Sequence, residues 1–189
     1  MKSNNSMSFS LGIALLFILV DLAAAAEKRQ HEAHVHGVAE LNIAVEGTKA
    51  TVEIHAPAEN IMGFEHEARS DSDKKKRDAA LALLRSKADQ MVLFDPKLRC
   101  KSSAMQTAVT EEHEEGQEKR AAKEQKVSGQ HREVQGTFTV ACAAPLAGSR
   151  VKFGITKVFP EIHEVKVQVL GDSGQSGATI RDDKGEVRL

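Results

Sequence analysis

The residues best suited to chemistry are histidines, and three of them, His31, His34 and His36, fall within six positions near the start of the chain. In an extended segment, side chains two residues apart point to the same side, so His34 and His36 can approach one ion. His31 lies on the lead-in and can add a ligand. Imidazole binds Zn²⁺, Cu²⁺ and Ni²⁺ alike, so the spacing predicts a divalent-metal site without selecting the metal. The alternative is that these histidines have no ligand role.

A further histidine, His66, follows a predicted turn at Phe64 and lies between Glu65 and Glu67. This segment can return toward the first predicted hairpin and so bring the His66 ring near the amino-terminal histidines. The other four histidines are isolated in the sequence, and we interpret them as surface or capping residues rather than ligands: His55, His113, His131 and His163.

Catalytic motifs are missing from the sequence. There is no G-x-S-x-G nucleophile elbow, and the run from His31 to His34 is one residue short of the H-E-x-x-H zinc signature. The balance of 26 basic and 27 acidic residues, with no Trp and no Tyr, gives no basic surface and few stacking rings for nucleic acid. We therefore predict a protein that is not an enzyme and does not bind nucleic acid.

The amino-terminal segment has the composition of a secretory signal peptide. Its apolar run, residues 11–20, is too short to span a bilayer, which takes roughly 20 residues. Ala24 and Ala26 form an A-x-A cleavage site. We predict a signal peptide at residues 1–26 and an exported domain at 27–189 that has no membrane span after processing. An uncleaved anchor is the alternative.

Cys100 and Cys142 are the two cysteines of the chain. An even count in an exported protein predicts one disulfide, since oxidising compartments preserve such bonds. Their separation in the sequence does not fit a C-x-x-C redox motif or a clustered thiolate site. Two free buried cysteines are the alternative.

Alternating apolar residues predict a β-hairpin over residues 38–45 and 50–56. A short helical turn follows Pro57, and a long helix begins after Ser70, with Leu81, Leu84, Ala88 and Met91 on one stripe. Further strands are predicted within residues 98–109, 137–142, 165–169, 178–180 and 187–189, with a glycine-rich turn at 171–177. The class is α+β, with antiparallel strands, one long helix and one or two short helices. Two similar halves around a polar flexible loop at 111–133 are a further possibility.

Several segments resemble the ZrgA-like family of bacterial periplasmic zinc-binding proteins. They are residues 34–46, 57–66 and 159–168, the cysteine pair and the Gly-Gln-Ser-Gly-Ala-Thr run from Gly174. The resemblance implies a periplasmic accessory protein for high-affinity zinc import through an ABC transporter or its binding protein. It implies His34, His36 and His66 as ligands, with Glu40 and Glu65 as additional ligands or orienting groups.

The polar loop departs from the family pattern, in which the centre of the chain is rich in His, Asp and Glu. Of the histidines it keeps only His113 and His131, and lysines and arginines lie among its glutamates. The expectation is therefore one ordered site that buffers or delivers zinc. The alternative function is an envelope protein-interaction module without a metal role, which would dock a partner through a strand edge or the polar loop.

Overall fold

The structure is a computed structural model that describes residues 35–111, 131–171 and 174–189. The predicted signal peptide, His31, His34 and His113 lie outside the described residues. Among the residues described, no helix has the length and apolar character needed to cross a membrane.

Strands dominate the described chain. In chain order they are β1 (Val38–Glu46), β2 (Lys49–Pro57), β3 (Val92–Phe94), β4 (Lys101–Ser102), β5 (Gln106–Glu111), β6 (Arg132–Ala141), β7 (Arg150–Phe153), β8 (Glu164–Gly171), β9 (Gly174–Arg181) and β10 (Glu186–Arg188). The helices are α1 (Ala58–Met62), α2 (Asp71–Ser86), α3 (Ala88–Met91) and α4 (Ile155–Val158), with a 3₁₀ turn at Pro96–Leu98. The predicted α+β class is confirmed.

Seven strands form one mixed sheet in the order β4-β6-β2-β1-β8-β9, with β5 also paired to β6. The β1–β8 pair is parallel, whereas its other pairs are antiparallel. A second sheet has the order β10-β7-β3. Both sheets combine strands from before and after the polar stretch, so the two halves that we considered as possible repeats are not separate sheets.

The first hairpin forms as predicted because its apolar residues alternate with polar ones. Leu41 and Ile43 of β1 and Val52 and Ile54 of β2 are buried on one face of the sheet. Gly47, with a φ of 56°, makes the turn between the strands. This face packs into the core, which leaves Glu40, Asn42 and their neighbours on the opposite face.

The long predicted helix is divided into two. Ser70 caps α2 by accepting a hydrogen bond from the Asp73 amide at 3.1 Å. The helical conformation breaks at Lys87, and α3 follows it. Leu84, Ala88 and Met91 are all buried, so the predicted stripe does face the core but spans two helices.

Three predicted boundaries also differ from the structure. The predicted strand at 98–109 is interrupted, because Pro96 starts a 3₁₀ turn and β4 and β5 form separately. The ends of the predicted polar loop at 111–133 are strand, because Glu111 belongs to β5 while Arg132 and Glu133 belong to β6, and residues 112–130 lie outside the described part of the chain. The predicted turn at 171–177 is shorter too, because β9 begins at Gly174 and pairs with β8 through backbone groups that need no apolar pattern.

The disulfide between Cys100 and Cys142 is present, as predicted. It joins the segment before β4 to the residue after β6, beside a backbone hydrogen bond of 2.8 Å from the Ala143 amide to the Leu98 carbonyl. The bond thus fixes the carboxyl end of β6, while the amino end of the same strand leads back to His131.

Candidate metal centre

Three chain segments meet at one end of the large sheet. Because β1 and β2 are antiparallel, the start of β1 lies beside the end of β2. Because β2 and β6 are also antiparallel, with Pro57 paired to Glu133, the start of β6 lies at the same end. The residues before β1, after β2 and before β6 are therefore neighbours, and each segment carries a histidine or a glutamate.

The carboxylate of Glu65 lies between two imidazoles at this end. One oxygen, Oε1, is 3.0 Å from Nε2 of His36, and the other, Oε2, is 2.8 Å from Nδ1 of His131. The second ring nitrogen of His36, Nδ1, is 3.0 Å from Oε2 of Glu59, which is in the first turn of α1. His36 therefore contacts a carboxylate through both of its nitrogens.

His36, Glu65 and His131 can offer one ligand atom each, and these three atoms lie within 4.8 Å of one another. Two imidazole nitrogens and a carboxylate oxygen are donors that Zn²⁺ prefers, at roughly 2.0–2.2 Å. Tetrahedral ligands at that distance are roughly 3.3 Å apart. The contacting atoms are now 2.8–3.0 Å apart and all three ligand atoms lie within 4.8 Å, so side-chain rotations must bring the ligands to the spacing that an ion requires.

The centre is open to solvent. The side chains of His36 and His131 are 56% and 54% exposed, whereas that of Glu65 is 18% exposed. An ion can reach both imidazoles directly, whereas the carboxylate between them is largely covered. We call His36, Glu65 and His131, with Glu59 behind His36, the metal centre.

Residues 33–189 match the family model described as ZrgA family zinc uptake protein. The chain belongs to the ZrgA family. Its members are zinc uptake proteins rather than enzymes, and the resemblance found in the sequence is thereby confirmed. No curated protein matches the chain. The residues of the metal centre all lie within the segment that matches the family.

The ZrgA-family resemblance implied more ligands than the structure brings together. Of these residues, His36 and Glu65 belong to the metal centre. His66 is exposed, its Nδ1 is 3.1 Å from the Glu67 carbonyl oxygen, and its ring stacks on Phe64 with centroids 4.8 Å apart. Glu40 projects from the solvent-facing side of β1, opposite His55 of β2.

Two members of the metal centre were missed in the sequence. His131 is an isolated histidine, and it joins the centre only because β6 pairs with β2 in a particular register. Glu59 lies in the segment that resembles the ZrgA family, but its position depends on the helical turn of α1. The one available signal was the short predicted helix after Pro57, which places Glu59 near the end of the hairpin.

A second imidazole–carboxylate pair lies close by, on the face of the sheet. Nδ1 of His55 is 2.6 Å from Oε1 of Glu133, a residue that is only 4% exposed. The Gln135 side chain donates to the other Glu133 oxygen at 3.3 Å. The hydrogen bond to Glu133 raises the pKa of His55, burial opposes this rise, and the charges of Glu133, Glu53 and Glu40 add to it.

Proposed function

We propose that the chain is a non-enzymatic periplasmic zinc-binding protein that buffers zinc or delivers it to a high-affinity uptake system such as a zinc ABC transporter. The observation that carries the proposal is the convergence of His36, Glu65 and His131 from three separate segments onto one point. Membership of a zinc uptake family supports Zn²⁺, rather than Cu²⁺ or Ni²⁺, as the ion.

In this proposal His36 binds zinc through Nε2, His131 through Nδ1 and Glu65 through a carboxylate oxygen. Glu59 accepts the Nδ1–H of His36, which leaves Nε2 without a proton and oriented toward the ion. Both imidazoles must be neutral to bind, so zinc competes with protons and its affinity falls as the pH is lowered. His34 and His31 are close in sequence to His36, and we propose them as additional ligands.

The exposure of the centre favours exchange over storage. An ion held by two half-exposed imidazoles can be reached by a ligand of another protein without opening of the core. The predicted signal peptide and the disulfide, which persists in oxidising compartments, both support a periplasmic location.

The test is a zinc titration of the processed chain by calorimetry with a competing chelator. We expect the substitution His36→Ala to weaken zinc binding by more than about 100-fold. That loss is larger than the roughly 10–100-fold that follows removal of a group that only orients a ligand. His55→Gln is the matched control, because it removes an imidazole that pairs with Glu133 outside the centre, and its affinity should stay at that of the unsubstituted chain. Equal affinity in all three proteins would refute the centre.

The same titration tests whether His66 and His34 also bind zinc. His66→Ala should leave the affinity unchanged if the described centre is sufficient, and should weaken it if the ring turns away from Phe64 to bind. His34→Ala decides whether the segment before the described residues adds a ligand. X-ray absorption at the zinc edge then counts the imidazoles around the ion.

A further inference from the structure

The side chain of Asn60 is buried beside the metal centre, and its two hydrogen bonds go to backbone groups. It is 5% exposed, and it lies in α1 directly after Glu59. Its Oδ1 accepts the Gly37 amide at 2.9 Å, and its Nδ2 donates to the Val38 carbonyl at 3.0 Å. Both bonds therefore go to the two residues that follow His36.

Gly37 is held equally firmly on its other side. Its carbonyl accepts the amides of His163 and Glu164 at 2.9 and 3.1 Å. It has a φ of +80°, and a Cβ at this position would lie 2.0 Å from Nε2 of His163. The backbone next to His36 is thus fixed between the Asn60 amide and the segment that leads into β8.

This arrangement links the ligand to the group that orients it. Asn60 ties α1 to the chain after His36, and the preceding residue of α1, Glu59, contacts Nδ1 of His36. If the Asn60 amide were lost, His36 and Glu59 would remain on separate segments without a direct backbone link at this point. The distance between the imidazole and both carboxylates would then be less well determined.

We propose that Asn60 is a positioning residue of the zinc centre, which acts by holding the His36 backbone against α1. This inference rests on the proposed function. It assigns a role to a residue that binds no ion and that a search for ligand types would pass over. A buried amide whose only task was to satisfy backbone groups would affect stability and leave zinc affinity in the folded protein unchanged.

The substitution Asn60→Asp keeps the shape of the side chain but replaces the donor to Val38 with an acceptor. We expect zinc affinity to fall about tenfold or more, which is the range for loss of a group that orients a ligand. Asn42→Asp is the matched control, since it makes the same chemical change on the outer face of β1 and should leave the affinity unchanged.

A double-mutant cycle with His36→Ala tests whether Asn60 affects zinc affinity through His36. If Asn60 acts through His36, then Asn60→Asp should have no further effect on zinc affinity once the imidazole has been removed. An equal loss in both backgrounds would overturn the proposal, and so would an affinity unchanged by Asn60→Asp in a folded protein. Asn60→Ser provides the same cycle if the aspartate variant does not fold.

A zinc-free measurement keeps this inference separate from the proposed function. Amide hydrogen exchange at Gly37 and magnetic resonance contacts between the His36 ring and Glu59 report positioning without metal. We expect both the protection and the contacts to decrease in Asn60→Ser. If the unsubstituted chain bound no zinc, the proposed function would fail. Unchanged protection and contacts in the variant would instead overturn the positioning role itself.

Discussion

The metal centre and the His55–Glu133 pair are both imidazole–carboxylate groups, and they lie on neighbouring parts of the same strands. His131 precedes Glu133 by two residues, yet its side chain is half exposed whereas Glu133 is buried. In the metal centre one carboxylate faces two imidazoles that come from different segments. In the pair, one imidazole donates to one buried carboxylate that also accepts from Gln135.

The difference shows that the position along a strand decides what a histidine can do. Within the sheet, the register of β2 and β6 sets His55 opposite Gln135 and Glu133 opposite Pro57, and a hydrogen bond of 2.6 Å joins His55 Nδ1 to the Glu133 carboxylate. Beyond the strand ends, side chains from three segments can approach one point and remain open to solvent. The first arrangement suits stability, and the second is the one that we propose binds zinc.

The largest difference in zinc affinity is expected when one imidazole is removed from the metal centre and one from the His55–Glu133 pair. His131→Ala should weaken zinc binding by more than about 100-fold, because it takes away a ligand rather than an orienting group. His55→Ala should leave zinc affinity within about twofold, since its ring lies outside the centre, although it should lower stability. Chelator competition measures both affinities at a temperature where each protein is folded. A larger loss in His55→Ala than in His131→Ala would reverse the assignment.

For stability the ranking should be reversed, so that removal of a carboxylate from the His55–Glu133 pair costs more than removal of one from the metal centre. Without zinc, Glu133→Ala should lower the free energy of unfolding by about 2 kcal/mol, because hydrogen bonds to charged groups are worth roughly 1.5–3 kcal/mol. Glu59→Ala should cost less than about 1 kcal/mol, as expected for half-exposed ion pairs. Urea unfolding measures both values. Equal losses would mean that burial does not distinguish the regions.

The sequence predicts what depends on local pattern and misses what depends on register. The alternation of Leu41, Ile43, Val52 and Ile54 is enough to predict the hairpin, because each apolar residue must face the core. The parallel pairing of β1 with β8 has no such local signal. His131 was missed for the same reason, since nothing near it in sequence indicates that β6 would bring it to Glu65.

Histidine spacing and the family resemblance both indicated His36, which lies in the centre, and both also allowed His66, whose ring stacks on Phe64. A pattern of residue types marks a segment as important without fixing the rotation of each side chain. Gly63 ends α1 in a left-handed conformation, and in the irregular segment that follows Glu65 reaches the centre while His66 is exposed beside it. Only three-dimensional packing separates these two adjacent residues.

A smaller effect is expected when the charge is removed from the second carboxylate beside each histidine, which is Glu59 for His36 and Glu53 for His55. Glu59→Gln should reduce zinc affinity about tenfold, because the amide is a weaker acceptor for Nδ1–H of His36 and orients the ring less firmly. Glu53→Gln makes the same change 4.0 Å from His55 Nε2 and should leave zinc affinity unaltered. The chelator assay used above measures both variants. A tenfold loss in both would indicate a general effect of negative charge rather than orientation of His36.

The smallest expected effect is the pH dependence that His55 gives to stability. Its pKa is raised above 6.5, chiefly by the hydrogen bond to Glu133, with burial opposing and the charges of Glu133, Glu53 and Glu40 assisting. The fold therefore favours the protonated ring. This contribution is complete below about pH 6.5 and is lost as the pH rises through the higher pKa of the folded protein.

The zinc-free protein should thus lose more stability between pH 6 and pH 8, roughly the interval on both sides of an ordinary histidine pKa, than the variant His55→Gln. Glutamine can still donate to Glu133 but carries no ionisable proton in this range. Urea midpoints at both pH values give the difference, and magnetic resonance titration of the His55 ring gives its pKa directly. Parallel pH profiles for the two proteins would contradict the role of this pair. Zinc must be absent throughout, because metal binding to the other imidazoles has a pH dependence of opposite sign.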